Sequence, residues 1–88
     1  MLNDSSTYCR ICGLDQQEPI WGEDGRSPTH NICDCCGAEF GYEDSLPEAA
    51  RAYRKKWIAD GAQWFSPKVQ PPGWVLEDQL ANIPEAFR

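Results

Sequence analysis

Four of the five cysteines form two identically spaced pairs that are suited to holding a metal ion. The pairs are Cys9-x-x-Cys12 and Cys33-x-x-Cys36, each is followed directly by a glycine, and twenty residues separate them. A Cys-x-x-Cys turn points two sulfurs at one ion, and the glycine permits a left-handed backbone without a Cβ in the way. This spacing matches the pattern of tetrahedral zinc sites. The sequence therefore predicts one zinc ion bound by these four sulfurs.

Four sulfur ligands leave no open coordination position, which is typical of structural rather than catalytic zinc. Cys35, inside the second pair, and His30, three residues before Cys33, are predicted to be non-ligating. An exchangeable or redox-sensitive ligand is the alternative role for Cys35. Buried core thiols and a disulfide or redox dithiol are the alternatives for the quartet, and neither explains the repeated Cys-x-x-Cys-Gly unit as simply.

Enzyme motifs are absent from the chain. It has no phosphate-binding glycine loop, no H-E-x-x-H pattern and no nucleophile elbow, and it carries a single histidine. The acidic residues Glu43 and Asp44 lie just before a predicted helix, where their charge favours the helix dipole. We therefore expect no enzymatic activity.

Length and charge narrow the class of protein further. A chain of 88 residues buries only about 60–65% of the surface of its unfolded form, so its apolar core is marginal and a metal would help it fold. The formal net charge of -6 disfavours binding to nucleic-acid backbones and anionic membranes. The opening residues lack a secretory pattern and no window approaches a membrane span, so the expected compartment is the cytoplasm.

The elements that must position the cysteines are predicted from composition and turn signals. The predicted fold is a small α+β metal-bound domain over residues 1–88, with a zinc-ribbon or rubredoxin-like knuckle pair. Residues 1–7 are expected to be flexible, and residues 8–44 to form the ribbon with a short antiparallel β-hairpin. Ile20 and Ile32 would lie in the strands that flank a glycine-bounded turn at 21–25. Residues 62–88 form an aromatic and proline-rich tail predicted to pack on the ribbon.

An amphipathic helix is predicted within residues 45–61, most clearly over 46–60. Ser45 followed by Glu48 has the form of a capping box, and Gly61 is a natural stop. An apolar stripe follows at three- and four-residue steps; it consists of Leu46, Ala49, Ala50, Tyr53 and Trp57. Downstream, prolines and a glycine predict extended or turned chain over 65–74, and residues 77–83 are predicted to form two helical turns.

The segment Ile32–Asp44, which reads ICDCCGAEFGYED, resembles the small bacterial cysteine-rich proteins with a C-P-C-C signature, in which two knuckles precede a helical tail. The pattern Arg54-x-x-Trp57-Ile58-x-x-Gly61 and the pair Trp64-Phe65 also look like that tail. This sequence departs from the signature by carrying aspartate at position 34 in place of proline. The resemblance implies a zinc ribbon and a bacterial source but no activity.

The knuckles are also similar to those of rubredoxins, which bind iron through four cysteines. That similarity makes an iron electron carrier the alternative to structural zinc. The gap between the knuckles is shorter here, and the helical tail is additional. Metal identity therefore separates the two functions.

The expected function is that of a small accessory protein that binds another protein, for which an antitoxin or immunity type would suit the size and acidity. The helix carries Arg51, Arg54 and Lys55 on one side, which forms either a docking patch for an acidic partner or a solvated face. Trp64, Phe65 and Trp74 form either part of the core or an exposed recognition surface. The partner and the oligomeric state do not follow from the sequence.

Overall fold

The computed structural model describes residues 4–88, and its regular structure consists of short helices. Helix α1 covers Pro47–Ala59 and helix α2 covers Leu76–Leu80. Three 3₁₀ turns lie at Asp4–Thr7, Pro67–Val69 and Glu85–Phe87. The cysteine-rich region between the first 3₁₀ turn and α1 is irregular chain folded into loops. Neither α1 nor any other helix in this part of the chain has the length and apolarity needed to cross a membrane.

The predicted α+β class with a β-hairpin is wrong, because residues 4–88 contain no β-strand. They contain two isolated antiparallel bridges, Tyr8–Asp15 and Ile32–Glu39. The loop between Ile20 and Thr29 closes through a hydrogen bond from Thr29 N to Ile20 O, but no ladder extends from it. Left-handed residues interrupt the extended conformation that a strand requires, among them Gly22 and Gly25 in the turn and His30 beyond it.

The described part of the segment 1–7 is held by backbone hydrogen bonds. Residues 1–3, for which flexibility is also predicted, lie outside the described residues. In the 3₁₀ turn that follows, the Ser6 carbonyl accepts from Ile20 N and the Thr7 carbonyl accepts from Gln16 N. This turn therefore borders the first cysteine loop.

Helix α1 is present at the predicted place, but its N-terminal cap differs from the predicted one. Leu46 is the N-cap, with an extended backbone, and no side chain caps the first turn. The predicted cap, Ser45, instead donates its hydroxyl to the carbonyl of Gly41. Pro47 starts the helix with the fixed φ that suits this position. At the other end, Gly61 adopts φ +106 and terminates the helix as predicted.

The buried face of α1 is rotated relative to the predicted apolar stripe. Ala50 and Trp57 are buried, and Arg54 is partly buried beside them, whereas Leu46 and Ala49 are exposed. An arginine belongs on this face because its guanidinium reaches backbone carbonyls of the cysteine loops, described below.

The tail folds back over the core through its aromatic residues. The indole N–H of Trp57 donates to the carbonyl of Gln63 at 2.9 Å. Trp64 is buried and meets Trp74 edge to face, with ring centroids 5.5 Å apart, so these two side chains belong to packing rather than to an exposed patch. Phe65 alone of the three is exposed. The helix predicted over 77–83 forms as α2, which is shorter and starts at Leu76.

Asp44 is buried completely and organises the loop before α1. Its carboxylate accepts from Trp21 Nε1 at 2.9 Å and from Gly41 N at 2.7 Å. The guanidinium of Arg10 lies against the Trp21 ring, 4.3 Å from its centroid. The interpretation of Asp44 as a surface charge that favours the helix dipole is therefore incomplete, since its main role is to satisfy buried donors.

Candidate metal centre

The two cysteine loops have the same backbone hydrogen bonds, 24 positions apart in the sequence. In the first knuckle, residues 9–14, Cys9 N donates to Leu14 O and the amide of Gly13 donates to Cys9 O. In the second knuckle, residues 33–38, the amides at positions 33 and 37 make the equivalent bonds to the carbonyls at positions 38 and 33. Gly13 and Gly37 adopt φ values of +86 and +78, as the Cys-x-x-Cys-Gly pattern predicts.

The knuckles bring the four predicted ligand atoms together. The Sγ atoms of Cys9, Cys12, Cys33 and Cys36 all lie within 4.8 Å of one another. Between knuckles, the Sγ atoms of Cys9 and Cys36 are 3.8 Å apart and those of Cys12 and Cys33 are 3.6 Å apart. A tetrahedron with metal–sulfur bonds of about 2.3 Å has edges of about 3.8 Å. The sulfur positions therefore fit one tetrahedral ion.

The cluster is shielded from solvent, and burial disfavours the charged, thiolate form of its cysteines. Cys9, Cys12 and Cys33 have 0% exposure and Cys36 has 5%. Burial raises the pKa of Cys12, and thiol hydrogen bonds, chiefly from Cys12, lower the pKa of Cys33. One thiolate can thus be held by its neighbouring thiols. Four buried thiolates this close together require a cation among them to offset their repulsion.

Polar hydrogens point at two of the sulfurs from outside the quartet. The amide of Ile11 lies 3.4 Å from Cys9 Sγ, and Gln16 Nε2 lies 3.4 Å from Cys33 Sγ. Donors of this kind stabilise a thiolate and orient it as a ligand. No sequence signal pointed to Gln16, because its contact depends on the loop that follows the first knuckle.

The two residues predicted to be non-ligating lie outside the four-sulfur cluster. Cys35 is buried, and its Sγ accepts a hydrogen bond from Gln79 Nε2 at 3.3 Å. His30 is exposed, and its Nδ1 lies 3.5 Å from a carboxylate oxygen of Glu39. Cys35 therefore packs beneath α2, and His30 lies at the surface.

The carbonyl groups inside both knuckles are hydrogen-bonded by the C-terminal half of the chain, which sequence reasoning missed. In the first knuckle, Arg54 donates to the carbonyls of Arg10 and Ile11, and Gln79 Nε2 donates to that of Cys12. The equivalent carbonyls of the second knuckle, at 34, 35 and 36, accept from Ser66 N, Phe65 N and Tyr53 Oη. All three carbonyls of each loop are therefore satisfied, and the ligand geometry depends on residues 53–79.

This arrangement corrects the interpretation of the basic helix surface. Arg54 is engaged by knuckle carbonyls, and Arg51 Nε donates to the backbone oxygen of Arg88 at 2.6 Å. Burial lowers the pKa of the Arg54 guanidinium and the sulfur of Cys9 raises it, but an arginine remains protonated throughout the physiological range. Of the three basic residues expected in either a docking patch or a solvated face, Arg54 is therefore instead bound to the first cysteine loop.

The hydrogen bond between Tyr53 Oη and Cys36 O makes an alkaline titration informative. Burial, aided by the nearby charge of Cys36, raises the pKa of Tyr53 to about 12. Because the folded-state pKa lies above the ordinary value, the stability that the neutral phenol contributes is present below about pH 10 and is lost as the pH rises through the folded-state pKa. We expect phenolate absorbance to show a step near the raised pKa that Tyr53→Phe removes. A step that persists in Tyr53→Phe would contradict the assignment.

The chain is similar to two proteins of Bacillus subtilis strain 168. It is 38% identical to the uncharacterized protein YoaQ, over 72% of this chain and 66% of that protein. It is 29% identical to the uncharacterized protein YozI, over 72% of this chain and 65% of that protein. The chain thus spans just under two thirds of the length of each relative.

No protein-family model matches the chain, and no solved structure matches it. The similarities therefore agree with the expected bacterial relatives, while no zinc-ribbon or rubredoxin family is identified. The assignment of the site rests on the geometry of the four sulfurs.

Proposed function

We propose that this protein is a small non-enzymatic module in which Cys9, Cys12, Cys33 and Cys36 bind one zinc ion as a structural centre. The observation that carries the proposal is the pair of sulfur–sulfur distances between the knuckles, 3.8 and 3.6 Å, which suit a tetrahedral ion. A metal with four cysteine ligands has no position left for a substrate or a reactive water. Its contribution would be folding energy, since no strands join the two loops within the described residues.

Zinc is proposed in preference to iron because of the spacing of the two knuckles in the sequence. Four thiolates in a tetrahedral arrangement suit zinc and iron alike. The twenty residues between the two knuckles match the spacing of structural zinc sites, and this gap is shorter than the one in rubredoxins. A rubredoxin-like iron carrier is therefore the alternative outcome of metal analysis.

The proposed role of the folded module is to bind another protein. Large apolar side chains remain exposed, including Tyr42 at 70%, Phe65 at 63% and Leu46 at 59%, and aromatic side chains such as the first two are enriched at protein interfaces. The net charge of -6 disfavours nucleic acid as a partner. The proposed setting is a reducing compartment such as the cytoplasm, where the thiols stay available as ligands.

The experiment is elemental analysis of natively purified protein, combined with thiol titration before and after chelation. We expect about one zinc per chain, with Cys35 protected by burial and all five thiols reactive only after chelation under denaturing conditions. One iron per chain, with a coloured and redox-active protein, would replace the structural function by electron transfer. Protein without metal, with thiols missing from the count, would contradict the proposal and indicate disulfides.

A further inference from the structure

One side chain of α1 joins the first knuckle to the C-terminal segment. Arg54 Nε donates to Ile11 O at 2.6 Å, and its Nη2 donates to Arg10 O at 3.1 Å and to Phe87 O at 2.5 Å. Two of these carbonyls lie between the predicted ligands of the first knuckle. The third lies in the 3₁₀ turn Glu85–Phe87. The planar fork of an arginine can hold both segments at once, which the single ammonium of a lysine cannot do in the same geometry.

The ring of Phe87 is held against the same knuckle by a second contact. The guanidinium carbon of Arg10 lies 4.6 Å from the centroid of Phe87 and 4.3 Å from that of Trp21, so the cation is placed between two aromatic rings. Arg10 itself lies between Cys9 and Cys12 in the chain. The position of the knuckle loop and the docking of Phe87 therefore depend on each other through both backbone and ring contacts.

Arg54 is also suited to the charge of a metal-loaded site. Four thiolates around a divalent cation leave a net charge of about -2. Arg54 lies close enough to the sulfurs of Cys9, Cys12 and Cys36 to interact with them electrostatically. Lys56, on the same helix, is exposed and forms an ion pair with Asp60 at 3.2 Å. Arg54 and Lys56 thus allow a comparison between a docked and an exposed cation of α1.

We propose that Arg54 is a positioning residue that couples metal retention by the first knuckle to docking of residues 83–88. This inference rests on the proposed function, because it assumes that the four cysteines hold a metal. Coupling between two equilibria is reciprocal. Loosening the C-terminal segment therefore speeds metal release, and metal release loosens the C-terminal segment.

The first test compares Arg54→Met with Lys56→Met, starting from the metal-loaded full chain. The rate of metal transfer to an excess of a coloured chelator is measured alongside amide hydrogen exchange of residues 83–88. Arg54→Met should release metal about tenfold faster or more, the scale found when groups that orient ligands are removed, and should lose protection at 83–88. Lys56→Met, which removes only an exposed ion pair with Asp60, should release metal at the wild-type rate. Equal release rates for the two variants would overturn the proposal.

A second pair keeps the proposal falsifiable if Arg54→Met fails to fold. Phe87→Ala removes the ring that packs on Arg10 but leaves Arg54 and every cysteine in place, and Tyr42→Ala removes an exposed aromatic side chain as its control. Phe87→Ala should release metal about fivefold faster, while Tyr42→Ala should leave the rate unchanged. Faster exchange at 83–88 in Phe87→Ala with an unchanged release rate would overturn the coupling and leave the structural metal site standing. A wild-type chain that purifies without metal would instead overturn the proposed function itself.

Discussion

Cys12→Ser should lose the metal and most of its folded structure, whereas Cys35→Ser should keep both. The two thiols are equally buried, at 0% exposure, but only Cys12 belongs to the four-sulfur cluster. A serine hydroxyl is a poor replacement for a thiolate on zinc. Structural zinc contributes on the order of 10 kcal/mol to the folding of small zinc peptides, so a chain of this size has little stability without it.

The control substitution, Cys35→Ser, has a modest expected cost. The introduced hydroxyl would retain an acceptor for Gln79 Nε2, and we expect a loss of about 1–2 kcal/mol in the free energy of unfolding. Metal content by elemental analysis and denaturant unfolding at a fixed free metal concentration measure both effects. Retention of one metal by Cys12→Ser together with its loss from Cys35→Ser would show that Cys35 is a ligand and that the assigned quartet is wrong.

The clustering of the four cysteine sulfurs was predictable because the information for it is local. A Cys-x-x-Cys-Gly unit specifies its own turn, since glycine at the fifth position accepts the positive φ that closes the loop. The four-sulfur cluster then requires only that the fold bring two such turns together. The predicted hairpin failed for the opposite reason. The hairpin prediction rested on turn glycines and on Ile20 and Ile32, although the alternating apolar pattern of a strand is missing. The left-handed backbone at His30 could not be anticipated from the sequence, because this residue is not a glycine.

Charged residues were the other source of error, because charge is assigned to the surface by default. Arg54 lies between Ala50 and Trp57 on the inward face of α1, and its spacing from them is the signal that could have placed it inside. Asp44 could not have been placed in this way. Its side-chain partner Trp21 is 23 residues earlier in the sequence, and only the folded loop brings them together.

Gly13→Ala should destabilise the protein by about 3–5 kcal/mol, at the upper end of single substitutions. A Cβ at this position would lie 2.1 Å from the backbone carbonyl oxygen of Gln79 and 3.4 Å from Ile83. The obstacle is backbone, so α2 would have to move away from the first knuckle. Gln79 would then lose its hydrogen bond to Cys12 O. The measurement is denaturant unfolding with metal held at a constant free concentration.

Two other glycines separate the cost of conformation from the cost of the collision. Gly73 has φ +74 with nothing within 4 Å of a new Cβ, so Gly73→Ala should cost only the left-handed penalty of about 1–2 kcal/mol. Gly37, at the equivalent place in the second knuckle, would meet the movable ring of Phe65 at 3.1 Å and should fall between the two. Equal losses for Gly13→Ala and Gly73→Ala would mean that α2 does not pack against the first knuckle. The expected order instead identifies close backbone packing of α2 against the first knuckle as one of the contacts that join the cysteine loops to the C-terminal half.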